Sequence, residues 1–158
     1  GRHFFPAGFF NYGRAKMARI EAWGIVACTG TPTYTFSVRL GTSSTWSASD
    51  TSVASSTAIT MQSGVSNQHW YLQALLLCTS PGIGTGGLTL QAQGFVHSPG
   101  GFAAPYMYAL APSIGSPATW TTTIDGSLPQ YIGLSVACSA SSASNTITCK
   151  RLIISGLN

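Results

Sequence analysis

Two apolar runs joined by a loop of glycine and proline, between His69 and His97, constrain the fold of this chain most strongly. The first run is HWYLQALLLCT, the linking segment is SPGIGTGG, and the second run is LTLQAQGFVH. One face of the first run carries Trp70, Leu72, Ala74, Leu76 and Cys78, and the other, with Tyr71, Leu75 and Leu77, is nearly as apolar. A strand that is apolar on both faces is expected at the centre of a sheet and covered on both sides. The second run alternates apolar and polar residues, so together the runs predict a long β-hairpin.

Alternating apolar and polar residues predict further strands along the chain. Residues 16–28 and 33–40 alternate clearly and are expected to pair as a first hairpin, and residues 130–139 and 146–154 as a last one. Short strands are predicted over residues 56–61 and 119–124, and no segment has a helical period. Frequent strands with glycine and proline turns predict an antiparallel β-sandwich of about eight strands, jelly-roll-like first and immunoglobulin-like second. We expect one domain over residues 16–158, preceded by an arm over residues 1–15.

Two segments rich in aromatic residues are candidate contact surfaces. The arm has no regular period, and its aromatic rings must dock either on its own domain or on a neighbouring subunit. Residues 98–117 contain four prolines, which predict a long irregular loop and forbid a central strand. This loop either contacts a partner or packs over the domain's own core. The predicted interface residues are Phe4, Phe5, Phe9, Phe10, Tyr12, Arg14, Phe102, Tyr106 and Tyr108.

The chain is unusually poor in charge. Charged residues make up 6% of it and hydrophobic residues 44%, whereas an ordinary globular protein is about 25% charged. A monomer of this composition would be poorly soluble, so we expect copies of the chain or a larger assembly to cover much of its surface.

The net charge of +4 does not indicate a nucleic-acid-binding protein, because the basic residues form no run and no known binding motif. They are expected to be solvated, with contact to an acidic partner as the less favoured alternative. No stretch is long enough for a membrane span and no signal peptide is recognisable, so we expect a soluble protein. The sequence starts at Gly1 rather than Met, which fits either a removed leading segment or a fragment.

The sequence offers little for catalysis. Its three carboxylates, Glu21, Asp50 and Asp125, are far apart, which argues against a glycosidase. The three histidines are equally scattered, and neither a C-x-x-C pair nor a G-x-S-x-G motif is present. The loop GIGTGG lacks the lysine of a phosphate-binding loop. We therefore predict no enzyme, no catalytic or metal-ligating residue and no cofactor.

The four cysteines and the tryptophans leave some alternatives open. Cys28, Cys78 and Cys138 are predicted to point inward from strands, where free cysteine behaves as a small hydrophobic residue. Cys138 and Cys149 flank the last predicted turn, so a disulfide between them is one alternative. Exposed tryptophans could stack on sugars, although core or interface packing is the more frequent fate of this residue; the candidates are Trp23, Trp46 and Trp120.

Three segments together resemble a known group of proteins. They are PAGFFNYGRAKMARIEAWGIVACTGTPTYTFSVRLGT, the strand start Trp70-Tyr71-Leu72, and the ending NTITCKRLIISGLN. In these segments the chain resembles small virion structural proteins of tailed bacteriophages, especially those that infect actinobacteria. The resemblance spans residues 6–158 and is weakest over residues 100–117. It implies a non-enzymatic β-sandwich that binds the particle surface as an oligomer, a trimer of jelly rolls on the head, although members of the group are also labelled minor tail proteins.

The expected function is therefore that of a capsid decoration or cementing protein. The implied partners are copies of the chain itself, as a homotrimer, and the major capsid protein or other virion proteins. Neither nucleic acid nor a membrane is expected as a partner. The implied location is the virion surface, after assembly in the host cytoplasm. The alternative is a tail or spike module that recognises a host surface glycan through aromatic residues on the loops over residues 41–57 and 98–117. No catalytic or binding residue carries over from the group.

Overall fold

A computed structural model describes residues 2–10, 16–82, 87–111 and 121–157. This part of the chain is all-β, as predicted, and it contains no helix, so none that could span a membrane. Eleven strands are present, rather than about eight: β1 (His3–Phe5), β2 (Met17–Ala27), β3 (Thr33–Gly41), β4 (Thr51–Ser55), β5 (Ile59–Thr60), β6 (Gln68–Ser80), β7 (Leu88–His97), β8 (Met107–Leu110), β9 (Thr121–Ile124), β10 (Gln130–Cys138) and β11 (Thr146–Leu157).

The strands form two antiparallel sheets that pack face to face as a β-sandwich. The five-stranded sheet has the order β1-β10-β3-β4, with β5 beside β4 on the same edge of β3. The six-stranded sheet has the order β11-β2-β6-β7-β8, with β9 beside β8 on the same edge of β7. The predicted sandwich is thus confirmed, and the arm supplies one of its strands.

The central hairpin is confirmed. Strands β6 and β7 pair directly, and β6 lies between β2 and β7 in the middle of the six-stranded sheet. The face of β6 that starts with Trp70 is buried in the core, where each fully buried large side chain stabilises the fold by about 2 kcal/mol. The opposite face, expected to be covered as well, remains half-exposed in the described part of the chain.

The first and last predicted hairpins are wrong. Strands β2 and β3 lie in different sheets, and so do β10 and β11, because residues 28–32 and 139–145 cross from one sheet to the other. The two crossings lie side by side: the Thr29 amide donates to Asn145 Oδ1 at 3.2 Å, and the Thr33 amide donates to Ser139 Oγ at 2.9 Å. Residue alternation identifies a strand but does not say whether a short connection turns back or crosses over.

Strand pairing in the sandwich is nested. β2 pairs with β11, β3 with β10, and β6 with β7, so the chain pairs as a ribbon that is folded back at the central hairpin. At one end of this ribbon, both of its strands cross from one sheet to the other, over residues 28–32 and 139–145. A rolled ribbon of paired strands is the arrangement that jelly rolls share.

One continuous core fills the space between the sheets. Its largest fully buried side chains include Tyr34, Phe36, Phe102, Ile20, Leu72 and Leu88. The core is incompletely covered on one side, between β10 and β11, where five aliphatic residues stay half-exposed: Leu134, Val136, Ile147, Leu152 and Ile154. This side is open because, among the described residues, β1 is the one strand beyond β10, and it is three residues long.

The open side corrects the prediction for Cys138. Cys28 and Cys78 are buried as expected, but Cys138 at the end of β10 is exposed. Cys138 and Cys149 are both free thiols, and they lie on strands of different sheets.

The prediction of an irregular segment over residues 98–117 is wrong in part. The segment contains the short strand β8, which pairs with the outer edge of β7. Pro99 and Pro105 both lie before this strand, so neither removes a backbone hydrogen bond from it, and a short edge strand forms. Residues 112–117 lie outside the described part of the chain.

Candidate interaction surfaces

The aromatic arm packs on its own domain. Phe5 and Phe10 are buried, with 4% and 3% of their surface exposed, and the half-buried ring of Phe9 contacts both. The centroid of the Phe9 ring lies 4.7 Å from that of Phe5 and 4.9 Å from that of Phe10. Phe4 is half-exposed and packs against Tyr131 of β10. Of the predicted interface residues in the arm, Tyr12 and Arg14 lie outside the described residues.

A buried ion pair fastens the start of the arm to the five-stranded sheet. Arg2 Nη1 donates to Asp50 Oδ2 at 2.7 Å, and the two side chains are 8% and 5% exposed. Asp50 also accepts from the Ser47 amide at 3.1 Å, and the Asp50 carbonyl accepts from Arg39 Nη1 at 2.8 Å. Arg2 and Arg39 thus hold the loop over residues 42–50 against the sheet, and these contacts occupy their guanidinium groups.

The predicted contact residues after β7 divide between core and surface. Phe102 is completely buried and packs edge-on against Phe36 and against the half-buried Tyr108. Tyr106 and its neighbour Met107 are exposed at the end of the β7–β8 edge. Of these three predicted residues, only Tyr106 is therefore exposed.

The outer face of the six-stranded sheet is rich in apolar side chains, and we call it the outer sheet face. Strand registers place large apolar side chains from all five consecutive strands on it: Met17, Trp23, Ile25, Tyr71, Leu75, Leu77, Phe95, Met107, Ile153 and Leu157. Strands about 4.8 Å apart and about eight residues long give this face roughly 600 Å². The largest apolar patch on a typical monomer is about 300–600 Å².

Few charges interrupt the outer sheet face, and they contact one another or its aromatic rings. Tyr71 donates to Glu21 Oε1 at 3.0 Å, and Arg19 Nε lies 3.4 Å from Glu21 Oε2. The Arg151 guanidinium lies 5.8 Å from the centre of the Trp23 ring. Burial and the Glu21 hydrogen bond raise the pKa of Tyr71, so its hydroxyl stays protonated at neutral pH.

A shallow depression of about 270 Å³ lies within this face, between Gln73, Leu75, Gln93 and Phe95. Its floor is the backbone of Ala74 and Gly94. A side chain on Gly94 would meet the Gln73 carbonyl oxygen at 2.1 Å, so glycine lets the two strands approach closely here. The depression provides a recess on an otherwise flat apolar face.

A basic cleft of about 390 Å³ lies on the open side of the sandwich, and we call it the open-side cleft. Basic residues and aliphatic residues line it: Arg2, His3, Lys150, Arg151, Leu134 and Leu152. Cys149 also lines it, and burial raises the pKa of its thiol. No carboxylate belongs to the described lining. The sequence alone did not indicate this cleft, because its basic residues come from opposite ends of the chain.

A β-bulge in β11 shapes the open-side cleft. The register of β11 against β2 shifts between Cys149 and Arg151, so Lys150 is an extra, bulged residue. Gly24 lies opposite the bulge, where a Cβ atom would come within 1.7 Å of the Thr148 carbonyl oxygen. The bulge therefore depends on glycine at this position, and it places the Lys150 side chain at the cleft.

A second, polar cleft of about 350 Å³ lies between the loop over residues 42–50 and β9. Hydroxyl and carboxylate groups line it, including Thr42, Thr51, Asp50 and Asp125. Trp46, on the same loop, is 54% exposed. Of the other tryptophans in the described residues, Trp23 lies on the outer sheet face and Trp70 in the core.

The structure brings no constellation of metal-binding residues together. In residues 2–10, 16–82, 87–111 and 121–157, no three residues of the types His, Cys, Asp and Glu form a group that could hold a metal ion. His3 lies on the arm, His69 near the start of β6 and His97 at the end of β7. The described surfaces offer apolar side chains, unpaired basic side chains and a free strand edge.

Comparison with known proteins gives this chain no relative. The sequence matches no protein-family model, and neither a curated protein nor a solved structure resembles it significantly.

Proposed function

We propose that the chain is a non-enzymatic structural subunit of a bacteriophage virion, a capsid decoration protein that associates with copies of itself on the surface of the head. The outer sheet face is the observation that supports this proposal. It extends over five paired strands and contains ten large apolar side chains but, among the described residues, only three charged ones, Arg19, Glu21 and Arg151. Such a face is unfavourable in water and suited to burial against another subunit.

The size of the face agrees with this role. A stable interface buries about 800 Å² on each partner, and the outer sheet face offers roughly 600 Å² before neighbouring loops are added. Tyr and Trp, which are enriched in interface cores, lie on the same face as Tyr71 and Trp23. We propose a homotrimer as the assembled state, with the major capsid protein or another virion protein beneath it.

Sedimentation equilibrium of a matched pair of variants tests the self-association. We expect the wild-type protein to be an oligomer at micromolar concentration and Leu75→Arg to weaken association by about 100-fold, because a charge would be buried in an apolar interface. Leu75 points away from the core, so the variant retains its fold, which a thermal melt checks. Thr57→Arg, on an exposed loop at the far edge of the five-stranded sheet, adds the same charge and is expected to remain oligomeric. A wild-type monomer at tens of micromolar contradicts the proposal.

Electron cryo-microscopy of intact particles tests the location. We expect density for the sandwich on the head shell, with the outer sheet face turned toward other copies. Density on the tail alone contradicts the decoration role while leaving a virion role in place.

A second candidate function, host glycan recognition by a tail or spike module, is favoured by one observation. The exposed Trp46 lies on the same loop as Thr42 and Asp50, which line the polar cleft, and an exposed aromatic ring suits stacking on a sugar. A glycan array with the wild type, Trp46→Ala and Trp23→Ala tests it. Saturable binding that is lost only in Trp46→Ala supports recognition, and no binding by the wild type removes this candidate.

A further inference from the structure

We propose that the open-side cleft binds an extended acidic segment of a partner protein, which adds as a strand to the free edge of β10. The inference rests on the proposed function only in requiring a partner chain. It adds a second surface, which shares Arg151 with the outer sheet face and otherwise consists of different residues, and it specifies the chemistry of the partner.

The charges of the cleft have no counterpart in the described chain. The protein has three carboxylate side chains, and each is engaged elsewhere. Glu21 accepts from Tyr71, Asp50 pairs with Arg2, and Asp125 accepts from Ser127 Oγ at 2.6 Å. Arg2 is thus neutralised, but no ion pair with a described carboxylate compensates Lys150 or Arg151. A partner with carboxylates would supply the missing charge.

The backbone at the cleft is also incomplete. β1 pairs with β10 only at Gln130, Tyr131 and Ile132, so the outer edge of residues 133–138 has no strand partner among the described residues. Backbone amides and carbonyls on such an edge accept an added strand, which gains main-chain hydrogen bonds. An extended segment fits this edge in line with β1.

The apolar residues of the cleft indicate that every second side chain of the bound segment should be apolar. Leu134 and Leu152 line the cleft from opposite sheets and are half-exposed. Because side chains of a strand alternate, a bound segment can cover these residues with apolar side chains while its carboxylates reach Lys150 and Arg151. The best occupant is therefore a segment that alternates acidic and apolar residues.

A fluorescent peptide with the sequence (Glu-Val)₄ tests this site by anisotropy titration with the full chain. We expect the wild type to bind (Glu-Val)₄ saturably and the double variant Lys150→Gln/Arg151→Gln to bind it at least tenfold more weakly. The wild type should not bind the peptide (Lys-Val)₄. The matched control is Thr57→Glu/Ala58→Glu, on the exposed loop between β4 and β5, across β3 from β10. Both double variants change the net charge from +4 to +2. Equal losses in the two variants, or failure of the wild type to bind, overturn the proposal.

Cys149 provides a second, independent measurement. In a Cys138→Ser background, it is the only exposed thiol, because Cys28 and Cys78 are buried. We expect (Glu-Val)₄ to slow alkylation of Cys149 at least fivefold and (Lys-Val)₄ to leave the rate unchanged. Binding without protection of Cys149 places the peptide elsewhere and overturns the proposal.

The two proposals fail separately. Leu75→Arg is expected to lose self-association and to bind the peptide as the wild type does. Lys150→Gln, which leaves the contact of Arg151 with Trp23 on the outer sheet face in place, is expected to weaken peptide binding and to remain an oligomer. A monomeric wild type that still binds the peptide would contradict the oligomeric role alone.

Discussion

Tyr34 shows at the scale of one residue how the core couples to pH. Its ring is completely buried, and burial, together with the neighbouring Cys138 thiol, raises the pKa of its hydroxyl well above the ordinary value of about 10. The folded protein therefore favours the neutral hydroxyl. The contribution of Tyr34 to the free energy of unfolding is fully present below pH 10. It is lost progressively as the pH rises above 10, because the hydroxyl ionises first in the unfolded chain.

We expect the free energy of unfolding of the wild type to include a loss of about 1.4 kcal/mol per pH unit above pH 10 from Tyr34. Tyr34→Phe keeps the ring and removes this loss, so its stability should decline less steeply. Urea denaturation between pH 8 and pH 11 measures both slopes, with Tyr106→Phe, on an exposed ring, as the control. Parallel curves for Tyr34→Phe and the wild type would contradict the coupling.

At the scale of elements, β11 is a long edge strand that is protected against pairing with other edges. Its twelve residues pair with β2 on one side only. The bulge at Lys150 interrupts the regular spacing of the free edge and adds a charge to it, and both features discourage edge-to-edge aggregation. The free edge of β11 is thus less suited to pairing with another strand than a regular, uncharged edge would be.

Deletion of Lys150 tests that protection. Without the extra residue, Cys149 and Arg151 become neighbours and pair in regular register with Gly24 and Trp23, which creates a flat edge. We expect the deletion variant to aggregate faster at 37 °C, as measured by light scattering and thioflavin T. Lys150→Thr, which keeps the bulge and removes the charge, should show a smaller increase. Equal aggregation of the deletion variant and the wild type would contradict a protective role.

The elements were predictable from the sequence where alternation is strong. The inward residues of β6 and β7, and the position of β6 at the sheet centre, follow from their apolar pattern. The crossings at residues 28–32 and 139–145 were not predictable, because a connection of five to seven residues has the same composition whether it turns within a sheet or passes to the other. The short strand β8 was missed because prolines nearby obscured it.

The candidate surfaces were predictable to different degrees. The apolar second face of β6 indicated part of the outer sheet face, but its continuation through Phe95 and Ile153 depends on strand order. The open-side cleft depends on long-range pairing that places the arm beside β10 and β11, so no local pattern marks it. The interface role of the arm and of Tyr106 stays a prediction.

At the scale of the whole molecule, the open-side cleft and the outer sheet face should respond differently to salt. Between 0.1 M and 1 M salt the screening length falls from about 10 Å to about 3 Å. Binding of (Glu-Val)₄ at the open-side cleft should weaken at least tenfold over this range, because it depends on Lys150 and Arg151. Self-association through the apolar outer sheet face should persist. Sedimentation and anisotropy at both salt concentrations measure the two responses, and oligomers that dissociate in salt would contradict an apolar interface.

Nested pairing has a consequence for the growing chain on the ribosome. Strands β2 and β3 are among the first to be synthesised, yet their partners β11 and β10 emerge last. Until then one edge of each sheet lacks its neighbour, and apolar residues such as Ile20 and Phe36 stay accessible to chaperones or to other nascent chains. The pairs β2–β11 and β3–β10 form only when synthesis of this sandwich is nearly finished. Stalled translation would therefore release an incomplete chain with exposed apolar residues, which is prone to aggregate.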